Sequence, residues 1–122
     1  MKLLLDSVIL IDHLNGVEAA TKYIAGVAPD AAISVITRAE VLDGAPAQGL
    51  RPVSRLLDCF PILAIDKPIA DEAAALRRRH GWRLPDAFQA ALAQHHGLTL
   101  VTRNTRDFPP ARHAFVTVPY RL

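Results

Sequence analysis

The chain has 122 residues, 51% of them apolar and 21% charged, with a net charge of +2. That is enough apolar sequence for one real core and too little length for two ordinary domains, so residues 1–122 are expected to fold as a single unit. No apolar run approaches the roughly 18–20 residues of a membrane span, and the start, with one Lys, three Leu and then an acid, lacks a signal-peptide apolar region; a non-exported, cytoplasmic protein with no membrane partner is expected.

In chain order, Lys2–Leu5 predicts a short strand, and Ser7 opens a helix carrying Val8, Ile11 and Leu14 that Gly16 stops. Val17–Gly26 reads as a second helix and Ala31–Val35, with its β-branched residues, as a second strand. Thr37–Gly44 predicts a helix, and Ala45–Pro52, rich in Pro, Gly and Ala, is the one candidate flexible loop. Gln48–Asp58 is helical in pattern and Phe60–Ile65 strand-like. Lys67–His80 is an Ala-rich helix ended by Gly81; Pro85–His96 is another, with Pro in its first turn and Gly97 just past its end. Leu98–Thr102 and Ala114–Val118 complete the strands. Strands alternating with helices of this length indicate βαβ units, and so one α/β domain on a mainly parallel sheet of about five strands.

In such a sheet, ligands bind outside the carboxyl ends of the strands. Asp6 follows the first strand directly, Glu40 lies just after the second, Asp86 starts the helix of Leu-Pro-Asp-Ala-Phe-Gln-Ala-Ala, and Asp107 follows the Leu98–Thr102 strand. Four carboxylates meeting at one edge repel unless a cation neutralises them. Oxygen donors without Cys or His are hard ligands and favour Mg²⁺, or Mn²⁺, over zinc; an ion so held suits phosphodiester hydrolysis. Each acid also has a bland explanation. Glu40 stands at capping-box spacing from Thr37, Asp86 complements a helix dipole, Asp6 with Ser7 is an ordinary cap, and Asp107 precedes Phe-Pro-Pro as a turn residue. Their common position at the sheet edge is what favours a site.

The remaining polar residues point less clearly. His13, His80, His95, His96 and His113 include no i, i+4 pair, and no Gly-rich phosphate loop or Gly-x-Ser-x-Gly elbow is present. Cys59, the single cysteine, follows Leu56–Leu57 and precedes Phe60, which predicts a buried core thiol and fits a reducing compartment. Trp82 reads as an anchor on the surface or at an interface rather than a base-stacking platform. Asp12, Asp43, Asp66 and Asp71 read as solvated or capping acids. Arg predominates among the basic residues, at Arg77, Arg78, Arg79 and Arg83 and again at Arg103 and Arg106, and its planar guanidinium suits phosphate.

Taken together, Leu-Leu-Leu-Asp6-Ser7-Val-Ile-Leu-Ile-Asp, Glu40-Val-Leu-x-Gly44, Leu-Pro-Asp86-Ala and Leu-Val-Thr102-Arg-Asn104-x-x-Asp107-Phe resemble, in this order and over essentially the full chain, the PIN-domain toxins of the VapC type. The resemblance implies a PIN-like three-layer α/β/α sandwich and a Mg²⁺- or Mn²⁺-dependent ribonuclease, the toxin half of a toxin–antitoxin pair that cuts tRNA or ribosomal RNA. It implies Asp6 and Asp86 as central metal ligands, Glu40 and Asp107 as the remaining acids, and Ser7, Thr102 and Asn104 as supporting polar groups. Arg38, Arg103 and Arg106 are then candidate contacts to RNA phosphates. The implied partners are a VapB-type antitoxin that obstructs the site, a second copy in a homodimer, and operator DNA only through the antitoxin. The alternatives are a catalytically silent PIN-fold module that binds RNA or protein, which loss of an acid would mark, and an aspartate-phosphorylating domain. Val8 two residues after Asp6 counts against the latter in its Asp-x-Asp form.

Overall fold

In a computed structural model describing residues 1–122, five strands form one sheet: β1 (Leu3–Leu5), β2 (Ala31–Ser34), β3 (Ile62–Leu63), β4 (Thr99–Val101) and β5 (Val116–Thr117). The spatial order is β3-β2-β1-β4-β5 and every neighbouring pair is parallel. The helices are α1 (Ser7–Leu14), α2 (Glu18–Val27), α3 (Val35–Asp43), α4 (Leu50–Leu57), α5 (Lys67–His80) and α6 (Leu84–His95). None is long and apolar enough to cross a membrane.

Both faces of the sheet are covered, and alternation along the short strands divides the core in two. Leu4 of β1 and Leu100 of β4 face one way, into a cluster with Ile69, Ala73 and Leu76 of α5 and Ala90, Ala91 and Leu92 of α6. Their neighbours Leu5 and Val101 face the other way, packing with Ile9, Leu10, Ile24, Val41, Val53 and Leu57 of α1 to α4. The result is the expected α/β/α sandwich on a parallel sheet.

The expected elements are all present, most of them trimmed. Phe60–Ile65 shrinks to two paired residues, as does Ala114–Val118. Part of the candidate flexible loop is a 3₁₀ turn, Ala47–Gly49, leading into α4. The helix expected from Thr37 begins at Val35, because β2 runs straight into it and Ser34 is its N-cap: the Ser34 hydroxyl accepts from the Thr37 amide at 3.0 Å. Asp66 caps α5 in the same way, accepting from the Ile69 amide at 3.1 Å. Gly81 ends that helix in the left-handed region at φ 71°, where an L side chain would be strained.

That turn redirects the chain so that Trp82 is buried, at 4% exposure, against Phe108 and beneath the His80 ring. Trp82 is thus a core residue and not the surface or interface anchor expected. Cys59 is also corrected: α4 ends at Leu57, and in the following turn Phe60 takes the inward position while the thiol stays exposed. Asp12 is neither solvated nor capping. It is buried at 6% exposure and holds Arg103 through two bonds, Nε at 2.6 Å and Nη2 at 2.8 Å, while Tyr120 donates to it at 2.8 Å. The guanidinium bonds hold the Asp12 carboxyl below its ordinary range, against the opposing effect of burial.

Candidate functional site

Strand order reverses between β1 and β4, since β2 and β3 lie to one side and β4 and β5 to the other. At such a switch point the segments leaving the two strands diverge and open a crevice at their carboxyl ends. Leu5 pairs with Val101, so the next residues, Asp6 and Thr102, emerge side by side; the Asp6 amide donates to the Val101 carbonyl at 2.9 Å.

Asp6 is 7% exposed, and both carboxylate oxygens are occupied. Oδ1 accepts from the Ser7 amide at 2.9 Å and from Gln89 Nε2 at 3.2 Å, and Oδ2 accepts from the Thr102 hydroxyl at 2.7 Å. Asp6 is therefore a helix cap and something more, because a cap needs no donors from residues 83 and 96 positions away. The Asn104 amide donates back to Thr102 Oγ1 at 3.0 Å, while Asn104 Nδ2 donates to Asp107 Oδ2 at 2.9 Å. Thr102 and Asn104 thus link Asp6 to Asp107. The other end of this loop is tied down by Trp82, whose indole donates to the Asp107 carbonyl at 2.9 Å.

Asp86, in the first turn of α6, lies within electrostatic reach of the other three acids. Its half-buried carboxyl is pushed up to about 6, first by desolvation and then by the charges of Asp6, Asp107 and Glu40, against the opposing charge of Arg83. Glu40 reaches toward solvent from α3 but is partly desolvated by the cleft wall, which raises its pKa; the Ser7 hydroxyl beside it and Arg83 act against this, and the charge of Asp6 adds to it. Because Ser34 caps α3, a capping box between Thr37 and Glu40 does not account for that acid. All four expected acids thus fall in one electrostatic unit, drawn from the end of β1 (Asp6), the second turn of α3 (Glu40), the first turn of α6 (Asp86) and the loop after β4 (Asp107).

The unit is not a closed coordination shell. Nowhere in the chain are three or more carboxylate, imidazole or thiol groups arranged to grip an ion as they stand. The donor set is nonetheless all oxygen and strongly anionic, and the pKa values of Glu40 and Asp86 are raised first by desolvation and further by charge repulsion, both of which a cation would offset. Such a set fits a hard ion of the Mg²⁺ kind, which keeps several of its waters and takes only one or two carboxylates directly.

Two of the three expected phosphate contacts are already engaged. Arg38 is bound to Asp58 at 2.8 Å and to Ser54 at 3.0 Å, and Arg103 is held by Asp12. Both were read from their place beside an acid motif, which does not reveal a partner distant in sequence. Arg106 is exposed beside Asp107. Arg83, which had been grouped with the helix-end arginines, is the cation whose charge reaches both Glu40 and Asp86. Sequence reasoning also missed Gln89, Ser34 and Thr37, a buried polar group behind Asp6. The available signal was a lone amide in an otherwise apolar, Ala-rich helix.

The model of the PIN domain family matches residues 3–113. Ribonuclease VapC10 of Mycobacterium tuberculosis is 36% identical over 114 residues, covering 88% of this chain and 86% of that protein. A chain in a toxin–antitoxin complex from Klebsiella pneumoniae superposes with a TM-score of 0.89 at 39% identity, covering 99% of this chain and all of its own 100%. FitAcB from Neisseria gonorrhoeae superposes with a TM-score of 0.79 at 27% identity, covering 98% of this chain and 99% of that one.

Proposed function

The chain belongs to the PIN domain family and is of its VapC type, and from that premise we propose that it is a metal-dependent ribonuclease acting as the toxin of a toxin–antitoxin pair. The observation that carries this reading is Asp86, whose carboxyl is raised to about 6 first by desolvation in the crevice and then by the charges of the three further acids gathered around it. A fold gains no stability from such crowding, whereas a site for a divalent cation requires it. The name of the M. tuberculosis relative and the toxin–antitoxin setting of the K. pneumoniae structure support the same reading.

Asp6 and Asp86 would hold Mg²⁺, or Mn²⁺ in its place, with Glu40 and Asp107 binding it directly or through water. The ion would supply an activated water and charge stabilisation at the scissile phosphate. The chain's own contribution is positioning. Thr102 and Gln89 donate to the Asp6 carboxylate and fix its orientation, and Asn104 holds Asp107. Ser7 does the same for Glu40. Arg83, whose charge reaches Glu40 and Asp86, and the exposed Arg106 next to Asp107 would hold the RNA backbone.

The substrate class is RNA, with tRNA or ribosomal RNA the targets implied by the family resemblance. The partners are a VapB-type antitoxin that inhibits the enzyme and a second copy in a homodimer, with operator DNA bound only through the antitoxin. Residues 1–122 act as one domain, in the cytoplasm. The test is cleavage of total RNA by the purified, antitoxin-free protein with Mg²⁺, with Mn²⁺ and with EDTA, alongside Asp6→Asn. Metal-dependent cutting that disappears in a folded Asp6→Asn variant is the expected result. Absence of cutting across a broad RNA panel by folded protein would refute it.

A further inference from the structure

We propose that Gln89 is a positioning residue for the metal site, one that fixes the Asp6 carboxylate from behind through a buried polar network. This rests on the reading of Asp6 as a metal ligand. Among the buried residues of α6, Gln89 alone is polar; the others are Ala87, Ala90, Ala91, Leu92 and Ala93. It lies three residues after Asp86, on the same helix face, and is 1% exposed.

The amide can face only one way. A carboxylate accepts and never donates, so the nitrogen must point at Asp6 and the oxygen away from it. The surroundings satisfy that orientation completely. One N–H donates to Asp6 Oδ1 at 3.2 Å and the other to Thr37 Oγ1 at 2.7 Å, while Oε1 accepts from the Ser34 hydroxyl at 2.7 Å. Thr37 passes its own proton to the Leu5 carbonyl at 3.3 Å, at the end of β1. No buried side-chain polar atom in the chain lacks a partner. The network therefore ties α6, α3 and the end of β1 to one carboxylate oxygen.

The consequence for Asp6 follows by counting. An ionised carboxylate offers about four lone-pair sites. Ser7, Gln89 and Thr102 take three, which leaves about one for an external ligand and sets the direction from which it binds. Without Gln89, Oδ1 keeps only the amide of the adjacent residue, and the carboxylate regains freedom to turn about its last bond. Groups that orient a ligand in this way are worth about tenfold to a hundredfold in metal affinity.

The experiment is Mn²⁺ titration by electron paramagnetic resonance on wild type and on Gln89→Met and Gln89→Leu, with melting temperatures recorded without metal. Leu92→Val, a core truncation in the same helix, controls for loss of stability alone. We expect the Gln89 variants to bind Mn²⁺ about tenfold or more weakly than wild type, and Leu92→Val to bind within twofold of it. In RNA cleavage at saturating Mn²⁺, kcat should fall while the KM for RNA stays put. Gln89 variants that stay folded and bind Mn²⁺ like wild type overturn the proposal and leave Asp6 as a ligand. If wild type itself binds no Mn²⁺, the metal reading fails first and this inference with it. Should Gln89→Leu melt below the assay temperature, the longer and more flexible Gln89→Met decides.

Discussion

Asp86→Asn removes the charge at the centre of the acid cluster, and it should make the metal-free protein more stable while abolishing its activity. The folded carboxyl titrates at about 6 against a reference value of 3.8. Native protein therefore binds more protons than unfolded chain between those values, so stability falls as pH climbs through the window and stays level above it. A displacement of that size corresponds to about 3 kcal/mol for a fully desolvated group. Asp86 is only half-buried, and solvent screening reduces the figure to about 1 kcal/mol. Against this, Asn forfeits about 0.5 kcal/mol of favourable charge at the start of α6. The net gain of about 0.5 kcal/mol raises the melting temperature by about 2 °C in a domain of this size. Thermal melts in EDTA at pH 7.5 and pH 4 measure it. The rise should appear in full at pH 7.5 and shrink to a small remainder at pH 4, where the folded carboxyl is protonated and the unfolded one is about half protonated. With Mg²⁺ present at pH 7.5, the order should reverse, because wild type alone has the ligand. A melting temperature in EDTA that falls at pH 7.5, or rises equally at both pH values, refutes the reasoning.

The same titration should appear in metal binding. A proton on Asp86 competes with the ion, so the Mn²⁺ dissociation constant should weaken by up to about tenfold per pH unit below 6, as isothermal titration between pH 5 and 8 would record. Arg103→Ala strands the buried Asp12 carboxylate and frees the loop carrying Asn104 and Asp107. It should cost about 2 kcal/mol in urea unfolding at pH 7, less than a fully enclosed pair because Arg103 is partly exposed. Since Asp12 is held below its ordinary range, that deficit should persist at neutral pH and shrink as pH falls below about 4. Cys59 should react stoichiometrically with a thiol reagent in native protein; protection until unfolding would place it in the core after all. Gly81→Ala should lower stability by about 1 kcal/mol through its left-handed φ, measurable as an earlier urea midpoint.

How much of this was legible in advance depends on how far apart the interacting residues lie. The alternation of short apolar runs with helical periodicities carried the α/β class and the parallel sheet, because period and turn residues are local signals. Asp6 and Asp86 were legible for a related reason: a residue directly after a strand or in the first turn of a helix that leads into one sits at the sheet edge whatever the rest of the chain does. Asp6 and Thr102 follow paired strands, and that pairing explains why the edge became a shared crevice.

Other features depended on contacts made only when distant segments pack. Asp12 reads as an ordinary acid until Arg103 and Tyr120, 91 and 108 residues later, fold onto it. Trp82 and Cys59 exchanged their expected positions because a turn, rather than the residues' own hydrophobicity, decided which side chain faced inward. Arg38 and Arg103 looked free for phosphate because an arginine's partner leaves no mark in neighbouring sequence. Gln89 shows the division most clearly. Its sequence context places it inside an apolar helix, where a buried amide is costly without partners. The sequence alone determined that such a helix would lie against the sheet. Only the tertiary structure decided that Asp6, Ser34 and Thr37 would meet it there, since donors and acceptors from three separate segments can be matched only once the sheet and both helices are packed.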